Sequence, residues 1–168
     1  PIGNSELQQT IVKLVAGGKV SREGSIRKDE ISLLTSPRRV LLAEDNAINQ
    51  RVALRLLERQ GHSIVLACTG LEAVEKSAAE QFDVIFMDVQ MPEMDGLEAT
   101  RVIRARELTT GEHVLILALT AHAMSRDCDR CLDAGMDGYL SKPIRMQELT
   151  SVLQSLPPSR FTQPREAA

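Results

Sequence analysis

An open, doubly wound α/β fold is predicted by three observations. Five short apolar runs alternate with helix-like patterns across residues 38–156. Several of the runs are apolar on both parities, as expected for strands covered by helices on both faces. The spacers between runs hold one helix each and little more, so each strand should feed a right-handed crossover to a parallel neighbour.

The elements follow in order. Val40–Ala43 is the first strand candidate, with Asp45 or Asn46 placed to cap the helix after it. Ile48, Val52, Ala53, Leu56 and Leu57 recur at helical spacing, and Gly61 lies just past the helix end. Ile64–Ala67 and Val84–Met87 are the second and third strands, and Asp95-Gly96 reads as the turn into the third helix. Leu115–Leu119 and Gly138–Leu140 supply the fourth and fifth strands. Leu149, Val152, Leu153 and Leu156 mark the last helix. Gly17-Gly18, Gly24 and Ser36-Pro37 punctuate a polar linker over residues 16–37, and Pro157-Pro158 opens a flexible tail, 157–168.

Composition narrows the function classes. The 168 residues carry 20 Lys and Arg against 23 Asp and Glu, a net charge of -3 that creates no general field for nucleic acid. A hydrophobic fraction of 43% suffices for a core. The longest apolar runs, such as Val114–Leu119, are far too short to cross a bilayer, and no secretory pattern is visible. Three cysteines are an odd number, so a disulfide framework is not expected. The expectation is a soluble, cytoplasmic domain with no nucleic-acid partner and no membrane contact by this segment.

The polar residues that interrupt the apolar runs sit where strands end. Glu44-Asp45 closes the first run, Asp88 the third and Thr120 the fourth, and Lys142 follows the fifth. Open α/β sheets bind ligands outside the carboxyl ends of their strands, where the strand order reverses. In a 2-1-3-4-5 order that point lies between strands 1 and 3, which would bring Glu44, Asp45 and Asp88 together, flanked by Thr120 and Lys142. Crowded carboxylates raise one another's proton affinity unless a cation neutralises them. An all-oxygen, incomplete shell suits Mg²⁺ shared with a phosphate. With one carboxylate as nucleophile and a lysine and a threonine hydroxyl on the phosphoryl oxygens, the set amounts to an acyl-phosphate site. Any one of these residues alone would be an ordinary cap, turn former or loop charge; five at the ends of four strands are harder to assign to chance.

Four stretches then carry a family resemblance: Leu41-Leu-Ala-Glu-Asp-Asn46, Met87-Asp-Val-Gln-Met-Pro-Glu-Met-Asp-Gly96, Ala118-Leu-Thr-Ala121 and Tyr139-Leu-Ser-Lys-Pro143. Residues 38–156 resemble the receiver domain of two-component signalling. The Asp45-Asn46-x-x-Asn49-Gln50 and Ala134-Gly135-Met136-Asp137-Gly138-Tyr139 stretches are most similar to receivers of hybrid sensor histidine kinases. That likeness equally allows the cytoplasmic part of a membrane-anchored sensor kinase. The resemblance implies a flavodoxin-like, five-stranded parallel sheet of order 2-1-3-4-5. It implies that Asp88 accepts a phosphoryl group from a phosphohistidine. Mg²⁺, with Mn²⁺ able to substitute, would be held by Asp45, Asp88 and the carbonyl of Gln90, and by Glu44 mainly through water. Lys142, Thr120 and the Ala121 N–H would hold the phosphoryl oxygens, and Pro143 would follow a cis peptide bond. Tyr139 would be the switch aromatic moving with Thr120, and residues 124–156 the responsive surface. A histidine kinase core or a histidine phosphotransfer domain would dock on the first helix, at Ile48 and Val52, and on the loop after Lys142. The spacing of Ile48 and Val52 would equally serve the core.

The start of the chain echoes its end at an offset of 142. Pro1-Ile2, Glu6-Leu7, Ile11 and Leu14 parallel Pro143-Ile144, Glu148-Leu149, Leu153 and Leu156. Under the resemblance, residues 1–15 look like the last helix of a preceding receiver; a linker helix is the alternative. Cys128-x-x-Cys131 lacks the second pair a structural zinc site needs, and mid-helix placement argues against a redox motif. One thiol is expected in the core and the other at the surface. His62, His113 and His122 share no ligand spacing. Three other readings compete with the receiver. A phosphatase with an aspartate nucleophile lacks a second acid two residues after Asp88 and a cap segment. A flavin carrier lacks a phosphate cradle in the first βα loop. A phosphorylation-independent interaction module would make the charged set decorative.

Overall fold

The computed structural model describes residues 36–121, 125–157 and 159. The helix expected over 1–15 and nearly all of the expected linker lie outside them, as do His122 and Met124. Five strands, β1 (Arg39–Ala43), β2 (Ser63–Ala67), β3 (Val84–Asp88), β4 (Leu115–Thr120) and β5 (Gly138–Ser141), alternate with five helices. The helices are α1 (Ala47–Glu58), α2 (Gly70–Ala79), α3 (Gly96–Thr110), α4 (Ser125–Asp133) and α5 (Met146–Ser155). All pairings are parallel and the order is β2-β1-β3-β4-β5, as expected.

The double parity of the apolar runs has a direct cause. Leu41, Ala43, Ile85, Met87, Ile116 and Ala118 face one layer, where Ala73 of α2, Ile103 of α3 and Cys131 of α4 pack on them. Their neighbours Val40, Leu42, Val84, Phe86, Leu117 and Leu119 face the other, against Leu57 of α1 and Leu149, Val152 and Leu153 of α5. Period-two alternation sends adjacent residues to opposite faces, so a strand buried on both must be apolar throughout.

Local chemistry starts and stops the helices. Asn46 caps α1, its side chain accepting from the N–H groups of Ile48 and Asn49, and Thr69 and Asp95 cap α2 and α3 in the same way. Gly61 and Gly111 take positive φ just past α1 and α3.

One expectation is overturned here. Cys128 and Cys131 are both buried, at 6% and 1% exposure. Three residues along a helix is nearly one turn, so both sulfurs lie on the inward face of α4 instead of dividing between core and solvent. Burial, aided by the neighbouring Cys128 and Asp127, pushes the Cys131 thiol up to about 11. Such a thiol stays protonated and unreactive at neutral pH.

Two polar clusters close the amino-terminal edge of the sheet. In one, Asp137 receives Arg104 at 2.6 Å and the Ile116 N–H at 2.8 Å, and lies 2.9 Å from His113 Nε2. Arg104 also pairs with Glu107 at 2.7 Å and donates to the carbonyls of Val114 and Gly135. In the other, the Arg38 guanidinium donates to the carbonyls of Pro157 (2.7 Å) and Leu156 (3.1 Å). Ser159 is buried and donates to Asp83, so ordered contacts run past Leu156.

Candidate functional site

Parallel pairing places every strand's carboxyl end on one edge, and there the charged residues converge. Glu44 follows β1 and is tied to β2 through its N–H on the Ala67 carbonyl at 3.0 Å. Asp88 and Thr120 are the last residues of β3 and β4. The Lys142 N–H donates to the Thr120 carbonyl at 2.8 Å, which fixes the start of the lysine side chain beside β4. Its ammonium reaches both carboxylates, lying 2.7 Å from Glu44 Oε2 and 2.7 Å from Asp88 Oδ2. The Lys142–Pro143 peptide bond is cis.

The remaining oxygens are also held. Asp88 Oδ1 accepts the Gln90 N–H at 3.1 Å. Glu44 Oε1 accepts the Asn46 N–H at 3.2 Å and the Asn49 side-chain amide at 3.1 Å. Gln50 donates to the Glu44 carbonyl at 2.6 Å. Asp45 is exposed at the mouth, and one oxygen from each of Glu44, Asp45 and Asp88 falls within 4.8 Å of the others.

The electrostatics follow from this crowding. Burial raises the Asp88 carboxyl above its ordinary pKa and Glu44 adds to the rise, against the opposing pull of Lys142 and the Gln90 N–H. Burial works against the Lys142 ammonium, but its hydrogen bonds and ion pairs with Asp88 and Glu44 outweigh that and raise its pKa. Three carboxylates facing one ammonium leave a surplus of negative charge in a cleft of about 360 Å³. That all-oxygen donor set fits a hard divalent cation.

Of the residues singled out in the sequence, Glu44, Asp45, Asp88, Gln90, Thr120, Ala121 and Lys142 all line this cleft. Tyr139 does not line it; it is half-buried against the α3–α4 side of the core. Pro143 is exposed. Sequence reasoning did not assign Asn49 and Gln50 to Glu44, nor did it place Asp127 and Arg130 of α4 on the cleft wall. For Asn49 a signal existed, since a polar residue in the first helical turn faces the loop that carries Glu44.

Gly96 sets how closely α3 approaches the cleft. Its N–H donates to the Val89 carbonyl at 3.0 Å, and an added Cβ would fall 2.0 Å from the Asp88 carbonyl oxygen. Gly96→Ala should therefore push α3 off the end of β3. A loss of about 1–3 kcal/mol in urea unfolding is expected; an unchanged midpoint would show that the loop yields freely.

The family description that matches this arrangement is the response regulator receiver domain, over residues 40–154. The chain belongs to this receiver family. As a receiver it is 37% identical over 171 aligned positions to probable histidine kinase 1 of Oryza sativa subsp. indica, covering 83% of the chain and 18% of that protein. It is 40% identical over 158 positions to an osmosensing histidine protein kinase of Saccharomyces cerevisiae, covering 90% of the chain and 13% of the relative. The chain thus spans under a fifth of the length of these curated relatives. Among solved structures, the receiver domain of a Pseudomonas aeruginosa sensor histidine kinase, with a magnesium ion coordinated in its active-site cleft, matches with a TM-score of 0.66 and 41% identity. That match covers 72% of this chain and 98% of the other. A S. cerevisiae receiver domain, co-crystallised with a histidine phosphotransfer signalling protein, matches with a TM-score of 0.66 and 35% identity, over 69% and 86% of the two chains. The receiver is thus of the kind found in hybrid histidine kinases and phosphorelays.

Proposed function

We propose that this receiver takes a phosphoryl group from a phosphohistidine onto Asp88 and works within a hybrid histidine kinase in the cytoplasm. The observation that carries this reading is the single ammonium of Lys142, 2.7 Å from both Asp88 and Glu44 at the strand ends. An Asp88 oxygen attacks phosphorus as the N–P bond breaks, and the departing imidazole keeps the electron pair and takes up a proton. Lys142 turns from carboxylate to phosphoryl oxygens and neutralises them. Thr120 and Ala121 line the same cleft, and the hydroxyl of the one and the N–H of the other would complete the hold on the phosphoryl oxygens. Asp45, Asp88, the Gln90 carbonyl and, through water, Glu44 would hold a Mg²⁺ or Mn²⁺ ion, which when bound supplies positive charge to the phosphoryl oxygens. Attack of water on the acyl phosphate resets the domain.

The donor would be a histidine kinase core or a histidine phosphotransfer domain docking beside the mouth. Ile48 is 73% and Val52 44% exposed on α1, which favours partner contact over core for both. Thr120 and Tyr139 would pass the change to α4, β5 and α5.

The test is intact-mass spectrometry of the chain with acetyl phosphate, and with a purified phosphohistidine donor, in Mg²⁺ and in excess chelator. One phosphoryl adduct, lost when the metal is removed, is expected. No adduct from either donor in Mg²⁺ would defeat the proposal.

A further inference from the structure

We propose that Asn49 is a positioning residue that sets the affinity of the acidic cleft for its divalent cation by holding the Glu44 carboxylate in place. This rests on the reading of the cleft as a Mg²⁺ site. Glu44 is 1% exposed, so the direction of its carboxylate is decided by protein donors and not by bulk water. Lys142 holds Oε2 at 2.7 Å. Oε1 is held by the Asn46 N–H at 3.2 Å and by Asn49 Nδ2 at 3.1 Å. Among the described residues, Asn49 is the side chain that donates to Oε1, and it opposes the pull of the lysine on Oε2.

Asn49 is itself fixed. Its N–H donates to Asn46 Oδ1 at 3.3 Å within the α1 cap, and the next residue, Gln50, donates to the Glu44 carbonyl at 2.6 Å. The first turn of α1 thus grips both the main chain and the side chain of Glu44. A neutral amide suits this task. It donates a hydrogen bond without removing negative charge from the cleft, whereas a lysine would compete with the cation. An aspartate would offer no donor and would repel Glu44. Groups that orient ligands from behind typically change metal affinity by about 10–100-fold when removed.

The test uses the full chain and Mg²⁺ alone, titrated by calorimetry, with Asn49→Ala and Asn49→Leu beside the wild type. Alanine improves helix propensity at this position, so weaker binding by that variant would not come from an unravelled α1. Both variants should bind Mg²⁺ at least tenfold more weakly, with the thermal midpoint of the metal-free chain little changed. Phosphorylation of Asp88 should fall at limiting Mg²⁺ and return to the wild-type rate at saturation. Affinity within twofold of wild type in the folded variants, or a rate that saturating Mg²⁺ does not restore, would overturn the role of Asn49. A wild-type chain that binds no Mg²⁺ would overturn the metal site itself.

Discussion

Asp88→Asn should abolish the Mg²⁺-dependent phosphoryl adduct completely, yet leave the fold about as stable as before. The amide keeps an oxygen for the Gln90 N–H, and Lys142 keeps its ion pair with Glu44. What is lost is a second ion pair; what is relieved is a buried carboxylate facing Glu44. These effects oppose, so a net change within about 1 kcal/mol is expected in urea unfolding without metal. The pH dependence separates them. The pKa of Asp88 is raised in the folded chain, so the folded state binds its proton more tightly than the unfolded one. Its contribution to stability is therefore full below the ordinary aspartate value of about 4 and is lost as pH rises through the raised value. The variant should lack that decline. An adduct of wild-type yield in Asp88→Asn would move the acceptor elsewhere.

The largest stability effect is expected far from the cleft. Asp137→Asn removes the charge that Arg104 meets at 2.6 Å and that His113 meets at 2.9 Å, at a side chain with no exposure at all. Its amide nitrogen would also face a donor in place of an acceptor. Removing one partner of a buried pair costs about 3–5 kcal/mol, and the lower end applies because Arg104 keeps Glu107. Burial alone would raise the Asp137 carboxyl, but the His113 hydrogen bond, the Arg104 charge and the Ile116 N–H outweigh it and lower the pKa. The stabilisation is thus full above the unfolded aspartate pKa of about 4 and is lost as pH falls through the lowered folded value. Urea midpoints of wild type and variant should converge in acid and diverge toward neutrality. Parallel curves at all pH values would show that the charge of Asp137 does not contribute.

The strands were legible because burial on both faces leaves no room for polar residues. In β3, Val84, Ile85, Phe86 and Met87 all vanish from solvent. The site was legible for the complementary reason: Glu44, Asp88 and Thr120 are polar where the surrounding chain cannot tolerate it without a use. Helix faces were harder to read. Ile48 and Leu57 belong to one series of apolar helical intervals, yet nine residues put them on opposite sides of α1, one 73% exposed and the other fully buried, and the period alone does not say which side faces the core. The two cysteines of α4 are a different case, since their i, i+3 interval already puts both on one face. The cluster around Asp137 was out of reach, since it joins Arg104, Glu107, His113 and Asp137 through the placement of β4 beside β5 and of α3 behind them. No local pattern encodes such a meeting.

The Arg38 clamp bears on how the domain would hang within a longer polypeptide. By gripping the carbonyls of Leu156 and Pro157 it draws the incoming and outgoing chain to one corner, at the amino end of β1. Glu44 and Asp88 open at the opposite edge. A body held at that corner in a longer polypeptide would swing like a pendulum, with its working end away from the point of attachment. The length of the connecting segments would then govern how far Asp88 ranges, and its local concentration around a donor in the same polypeptide would fall off roughly as the −3/2 power of that length. Among the described residues, Arg38, Leu156 and Pro157 at that corner take no part in lining the cleft, so a change of spacing between modules would leave the lining of Asp88 as it is.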